Sequence, residues 1–172
     1  MKSIAIDMDG VLANVYSQFV RMHAEEYGKI ITAEEMSGRP EGDVFPDALK
    51  FVNSPGFFRT APLIKDCQKI LEQLNLRYSV FIVSAALEFP NSLIEKQSWL
   101  NEHFQFINWK QIVFCGSKEI IKADIMIDDH FKNLDFFTGE TILFTQPHNE
   151  LTDPGIHKRV NSWKEIGELF LR

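Results

Sequence analysis

The sequence predicts an α/β protein with a parallel sheet, and three observations lead there. Short apolar runs recur at 3–8, 79–83, 111–114, 123–127 and 141–144, each of strand length. Segments with helical spacing of apolar residues separate most of them. The first, second and fourth runs end at acidic or hydroxyl residues, and Ser117-Lys118 follow shortly after the third. Strands alternating with helices build a parallel sheet covered on both faces. The 172 residues suffice for one domain, or one domain with a small insertion.

Taken in order, Ser3 to Met8 is the first strand, favoured by Ile4 and Ile6 and ended by Gly10. Val15 to Tyr27 carries apolar groups at Val15, Phe19, Val20, Met22 and Tyr27, an amphipathic helix that Gly28 ends. Thr32-Ala33-Glu34-Glu35 is a capping box opening a short helix. Ser37 to Pro46, rich in Gly, Pro and charge, is loop; Pro46 to Val52 is another short helix, and Ser54-Pro55-Gly56 a turn. Residues 15–60 thus form a small, mostly helical insertion, with the rest of the sheet domain in 1–14 and 61–172.

After Pro62, residues 63–76 place Leu63, Ile64, Cys67, Ile70, Leu71 and Leu74 along one helix face. Ser79 to Val83 is a buried strand ending at Ser84. A helix over 91–104 packs through Leu93, Ile94, Trp99, Leu100 and Phe104. Gln111 to Phe114 is a strand ending at Cys115-Gly116, and Ala123 to Ile127 one ending at Asp128-Asp129. Thr141 to Phe144 is the last strand; Ser162 caps a closing helix that runs to Leu171.

Composition excludes some classes. With 45% apolar and 24% charged residues the chain is ordinary for a soluble protein. A net charge of −6 without a long basic run speaks against a nucleic-acid polymer as partner. No apolar stretch spans a bilayer and no signal peptide opens the chain, so no membrane partner and a cytoplasmic location are expected. Cys67 and Cys115 lie outside any metal-ligand spacing and read as buried thiols; His23, His103, His130 and His157 form no zinc pattern. Fifteen phenylalanines exceed what a core of this size needs, and the surplus suits an apolar ligand pocket. An exposed aromatic patch on the insertion would point to a homodimer.

The chemistry lies in what ends the strands, because ligands of such sheets bind beyond the strands' carboxyl ends. Asp7 and Asp9, two residues apart, start out facing the same way and repel each other unless a cation sits between them or one is protonated. Mg2+, a small hard cation, suits oxygen ligands combined with phosphate and water. Taken singly, Ser84 is equally a helix cap, Lys118 a solvated lysine and Asp128-Asp129 a turn. Together they fit one reaction, phosphomonoester cleavage. Asp7 attacks phosphorus to give an aspartyl-phosphate, and Asp9 is the general acid and then the base. Mg2+ lies between Asp7, Asp128 and phosphate, while Lys118 and Ser84 hold phosphate oxygens.

This order resembles the haloacid dehalogenase (HAD) superfamily of phosphatases. It rests on Asp7-Met8-Asp9-Gly10-Val11, the hydroxyl after the second strand, the lysine, and the acidic pair after the fourth strand. The resemblance implies a Rossmann-like core, a five-stranded sheet of order 5-4-1-2-3, and a cap inserted after the first motif, where 15–60 lies. Within the superfamily the chain looks most like the 5′(3′)-deoxyribonucleotidases. The further support is Leu12-Ala13, Gly56-Phe57-Phe58 before Pro62, Phe81-Ile82-Val83-Ser84, Glu95-Lys96-Gln97-Ser98-Trp99, Lys118 ten residues before Asp128, and His148-Asn149. The family implies Mg2+ on the carboxylates of Asp7 and Asp128 and the backbone carbonyl of Asp9, with Asp129 supporting the set from behind. It implies phosphate held by Ser84, Lys118 and Lys96, and a base stacked on Phe57, with Phe45, Phe58 or Tyr16 as further wall. The chain departs from the animal members at Val15, where they carry an aromatic, at Gly116 and His130, where they carry arginines, and in lacking their cap tryptophans.

The expected activity is hydrolysis of (deoxy)nucleoside 5′- or 3′-monophosphates. One alternative is a phosphatase of the same chemistry for another small monoester such as a sugar phosphate. Another is a phospho-acceptor switch of the receiver type, but its acceptor aspartate follows the third strand, where this chain has Cys115-Gly116. A non-catalytic phosphate-binding module is the last; it would have to keep these charges buried without a ligand, which is costly.

Overall fold

The computed structural model describes all residues, 1–172. Strand β1 spans Ser3–Asp7, with Ile4 and Ile6 packed on one face of the sheet and Ala5 on the other. The same alternation recurs in β2 (Ser79–Ser84), β4 (Ile125–Asp128) and β5 (Glu140–Phe144). Ile82, Ile127 and Ile142 join Ile4, while Val83, Met126 and Leu143 join Ala5. Two strands at the sheet's edges, β3 (Ile112–Phe114) and β6 (Lys158–Val160), are three residues each.

Helices cover both faces, as expected. Helices α5 (Cys67–Asn75), α6 (Ser92–His103) and α8 (Trp163–Phe170) bury Leu71, Leu74, Trp99, Leu100, Trp163 and Ile166 in the larger core. The short α7 (Phe131–Leu134) covers the other face through Leu134. Ser162 caps α8 by accepting the Glu165 N–H. Full burial of a side chain such as Leu71 is worth about 2 kcal/mol.

The sheet corrects the expected strand count and order. It has six strands, all parallel, in the order β3-β2-β1-β4-β5-β6. The expected 5-4-1-2-3 lacks β6, which pairs with β5 through Lys158, Arg159 and Val160. A three-residue run with two cations has no apolar pattern to announce a strand; backbone pairing along the β5 edge makes it one.

Residues 15–60 carry α1 (Val15–Tyr27), α2 (Ala33–Met36), α3 (Glu41–Val44) and α4 (Ala48–Val52) and no strand. Thr32 and Glu35 complete the predicted capping box of α2. Helix α3 lies where loop was expected. The insertion has its own apolar cluster, including Phe19, Phe45, Phe51, Phe57 and Phe58. Its entry and exit run side by side: Asn14 N–H donates to Pro62 O at 2.7 Å and Ile64 N–H to Leu12 O at 2.8 Å. Two local details differ from the sequence reading. Helix α5 starts at Cys67 rather than 63 because Asp66 takes a left-handed φ of 66°. Ile94, expected to pack, is exposed.

Candidate active site

Strand β1 lies between β2 and β4, so the carboxyl ends of three strands meet. Asp7 closes β1, Ser84 closes β2 and Asp128 closes β4. The strand ends at Asp7, and a tight turn follows in which Leu12 and Ala13 N–H both reach Met8 O at 2.9 Å. That turn, rather than strand parity, brings Asp9 to the same cavity as Asp7. Gly10 is required there: a Cβ would sit 2.2 Å from Asp129 Oδ2.

A cavity of about 420 Å³ opens over these strand ends. Asp7, Asp9, Ser84, Lys96, Lys118 and Asp129 line its floor, and Leu49, Val52, Phe57 and Phe58 face them from the insertion. Asp128, fully buried, stands behind the floor. Phe45 does not line it. Its ring is fully buried, stacked on Phe19 at 5.2 Å, and serves the insertion's own core, so its expected role at the substrate is withdrawn.

Two ion-paired groups organise the floor. Lys118 Nζ lies 2.6 Å from both Asp7 Oδ1 and Asp128 Oδ2. Asp7 Oδ1 also accepts the Met8 N–H at 2.7 Å, which leaves Oδ2 without a protein donor. In the second group Lys96 Nζ reaches Asp9 Oδ2 at 2.5 Å and Ser84 Oγ at 3.0 Å. Since Lys96 can only donate, the Ser84 hydroxyl keeps its own hydrogen for another acceptor.

The electrostatics are unbalanced. Carboxylate oxygens of Asp7, Asp128 and Asp129 lie within 4.8 Å of one another, against the single ammonium of Lys118. Burial pushes the Asp7 carboxyl up to about 8; Lys118 pulls it down, and Asp128, Asp129 and Asp9 push it further up. Burial and then Asp128 raise the Asp129 carboxyl well above the carboxylate range. Burial alone would lower the Lys118 ammonium, but Asp128 and Asp7 outweigh it and raise it. The Oδ1 atoms of Asp9 and Asp129 are buried without a hydrogen-bond partner. Hard oxygen donors, surplus negative charge and an orphaned carboxylate oxygen suit a divalent cation such as Mg2+.

Sequence reasoning missed several residues. Asn133 Nδ2 donates to both oxygens of Asp128, at 3.0 and 3.1 Å, and lines the cavity. Its only signal was its place five residues after Asp128. Glu41 and His130 also line the cavity, and Phe89 stacks on Phe58 at 6.2 Å. His148, which the sequence did point to, lies beyond β5 and ties Asp129 of the core to Tyr16 of the insertion. Asp129 O only accepts, so His148 Nε2, at 3.0 Å, carries the proton; Nδ1 then accepts from Tyr16 Oη at 2.9 Å. Burial and then His130 lower the His148 imidazole. Cys67 and Cys115 are free, buried thiols, as expected.

The family model described as 5′ nucleotidase, deoxy (pyrimidine), cytosolic type C protein matches residues 1–172. A 5′(3′)-deoxyribonucleotidase of Bacillus subtilis (strain 168) is 38% identical over 179 residues, covering 99% of each chain. A Staphylococcus aureus relative (strain Mu50) is 38% identical over 174 residues, 99% of this chain and 96% of that one. Among solved structures, a haloacid dehalogenase-like protein from Agrobacterium tumefaciens superposes with a TM-score of 0.65 at 14% identity, covering 99% of this chain and 98% of that one. The HAD-hydrolase YfnB of Bacillus subtilis, determined bound to magnesium, gives 0.62 at 12% identity and 99% coverage of both. These two likenesses concern the fold.

Proposed function

The chain belongs to the cytosolic type C 5′-nucleotidase family, hydrolases of the HAD phosphatase group, and from that premise we propose that it hydrolyses (deoxy)nucleoside 5′- or 3′-monophosphates to nucleoside and phosphate. The observation that carries the proposal is Asp7 itself. Met8 N–H and Lys118 hold its Oδ1, while Oδ2 has no protein donor and the residue lines the cavity, as a nucleophile must.

In this reading Asp7 Oδ2 attacks phosphorus and forms an aspartyl-phosphate as the ester P–O bond breaks. Asp9 gives its proton to the departing alkoxide. Asp9 then takes a proton from water, whose oxygen attacks the same phosphorus, and the P–O bond to Asp7 breaks. Phosphate leaves and both carboxyl groups return to their starting states. Ser84, Lys118 and Lys96 hold the phosphate oxygens. The carboxylates of Asp7 and Asp128 and the backbone carbonyl of Asp9, with Asp129 beside them, would hold Mg2+, which would neutralise charge on the phosphate when bound. Phe57 and Phe58, opposite the floor, give the base an apolar wall.

Residues 15–60 are the cap, hinged at the paired segments 12–14 and 62–64. We place the reaction in the cytoplasm: two free thiols suit a reducing compartment, and no helix is long and apolar enough to cross a membrane. Tyr27 is the one aromatic among the cap's exposed large apolar residues, so the patch that would have pointed to a homodimer is missing.

Phosphate release from nucleoside and deoxynucleoside 5′- and 3′-monophosphates and sugar phosphates, with and without Mg2+, tests the proposal. Deoxynucleotides should lead and EDTA should abolish release. Preference for sugar phosphates would overturn the substrate and leave the phosphoryl chemistry standing.

A further inference from the structure

Helix α6 follows the cap's return segment along its length. Asn91 Nδ2 donates to Val52 O at 3.2 Å and Trp99 Nε1 to Ala61 O at 2.7 Å. Between them, Glu95 makes the densest contact. One of its oxygens accepts Gly56 N–H at 2.6 Å; the other accepts Phe58 N–H and Arg59 N–H, both at 3.1 Å. Three backbone donors of one four-residue run converge as they would on a bound anion, and Glu95 fills that position from within the protein.

The clamped run carries Phe57 and Phe58, the aromatic wall of the cavity. The next residue of α6, Lys96, holds Asp9 and Ser84 at the phosphate end, and its ammonium lies 4.4 Å from the Phe58 ring centroid. Two adjacent side chains on one rigid helix thus fix the two ends of the cavity relative to each other. We infer that Glu95 is a positioning residue that sets the aromatic wall against the phosphate site, and so governs affinity for the part of the substrate beyond the phosphate and sugar. This rests on the proposal that Phe57 and Phe58 face the base.

Glu95→Gln tests it. Glutamine keeps the shape and one acceptor, but in either orientation its NH2 group faces at least one of the three N–H donors. Amide exchange over residues 55–60 should accelerate at least about tenfold, as expected for losing charge-assisted hydrogen bonds. The KM for a deoxynucleoside monophosphate should rise about tenfold with kcat within about twofold, the signature of lost binding shared by ground and transition state. The KM for 2-deoxyribose 5-phosphate, which lacks the base, should stay as it was. Equal loss on both substrates, a fall in kcat alone, or unchanged exchange would overturn the inference. Glu95→Asp keeps the charge and loses the reach, so it should behave like Gln; full recovery by Asp would show that charge alone matters, and would also overturn it. A wild-type enzyme that ignores deoxynucleotides would sink the nucleotidase reading instead, and the exchange measurement then decides the clamp on its own.

Discussion

Asn133 holds both oxygens of Asp128, at 3.0 and 3.1 Å, while the His130 N–H takes Oδ1 at 2.9 Å and Lys118 takes Oδ2 at 2.6 Å. A carboxylate restrained by donors on both oxygens cannot rotate freely, which is how supporting residues tune a metal ligand. Asn133→Ala should therefore weaken Mg2+ activation by about 10–100-fold in half-saturating concentration. Titrating phosphate release against Mg2+ checks it; an unchanged midpoint would show that Lys118 and His130 N–H suffice.

Without metal, the floor should be sensitive to pH in a defined direction. The Asp7 carboxyl is pushed from 3.8 to about 8 by burial, and Asp129 moves the same way. A group that binds its proton more tightly in the folded state adds stability at low pH and loses it as pH rises through its folded pKa. In EDTA the melting temperature should fall as pH rises from about 4 to about 8 and level off above that. Mg2+ should remove most of that fall, and its affinity should increase over the same window as protons are released on binding. A flat EDTA profile would contradict the charge imbalance.

The proposed closure of the cap can be tested by a crosslink. Gly38 N–H donates to Pro147 O at 2.8 Å, joining cap to core, and a Cβ built on Gly38 lies 3.5 Å from Leu151 Cβ. That separation is within disulfide range. Gly38→Cys with Leu151→Cys should crosslink on oxidation, at a cost of about 1–2 kcal/mol because Gly38 has a φ of 70°. Turnover should collapse in the oxidised protein and return with reductant. Full turnover in the crosslinked form would show that the cap need not move.

Much of this was legible in the sequence, and the misses have physical causes. Asp7, Ser84 and Asp128 could be found because each ends an apolar run, and strand order then brings the three together. The capping box at Thr32 and the N-cap at Ser162 were legible because capping is local. Strand β6 was hidden because its pattern is charged and its pairing lies entirely on the β5 side. Phe45 and Phe57 are the same residue type in the same insertion and both pack in the cap core; only packing lets Phe57 reach the cavity as well. Asn133 left only its place five residues after Asp128 as a signal, and the partners of Glu41 and Glu95 lie on other segments, which no spacing in the chain announces.

The account stands most directly on Asp7 as nucleophile, and phosphate release by Asp7→Asn beside the wild type, at saturating Mg2+ and deoxynucleotide, tests it. The variant keeps the shape and the Met8 contact while removing the attacking oxygen's charge. The prediction is a folded protein whose kcat has fallen by at least about 10⁴-fold, the scale seen when a nucleophile is lost. A variant retaining a tenth of wild-type turnover would contradict the covalent mechanism and with it the roles assigned to Asp9 and Lys118.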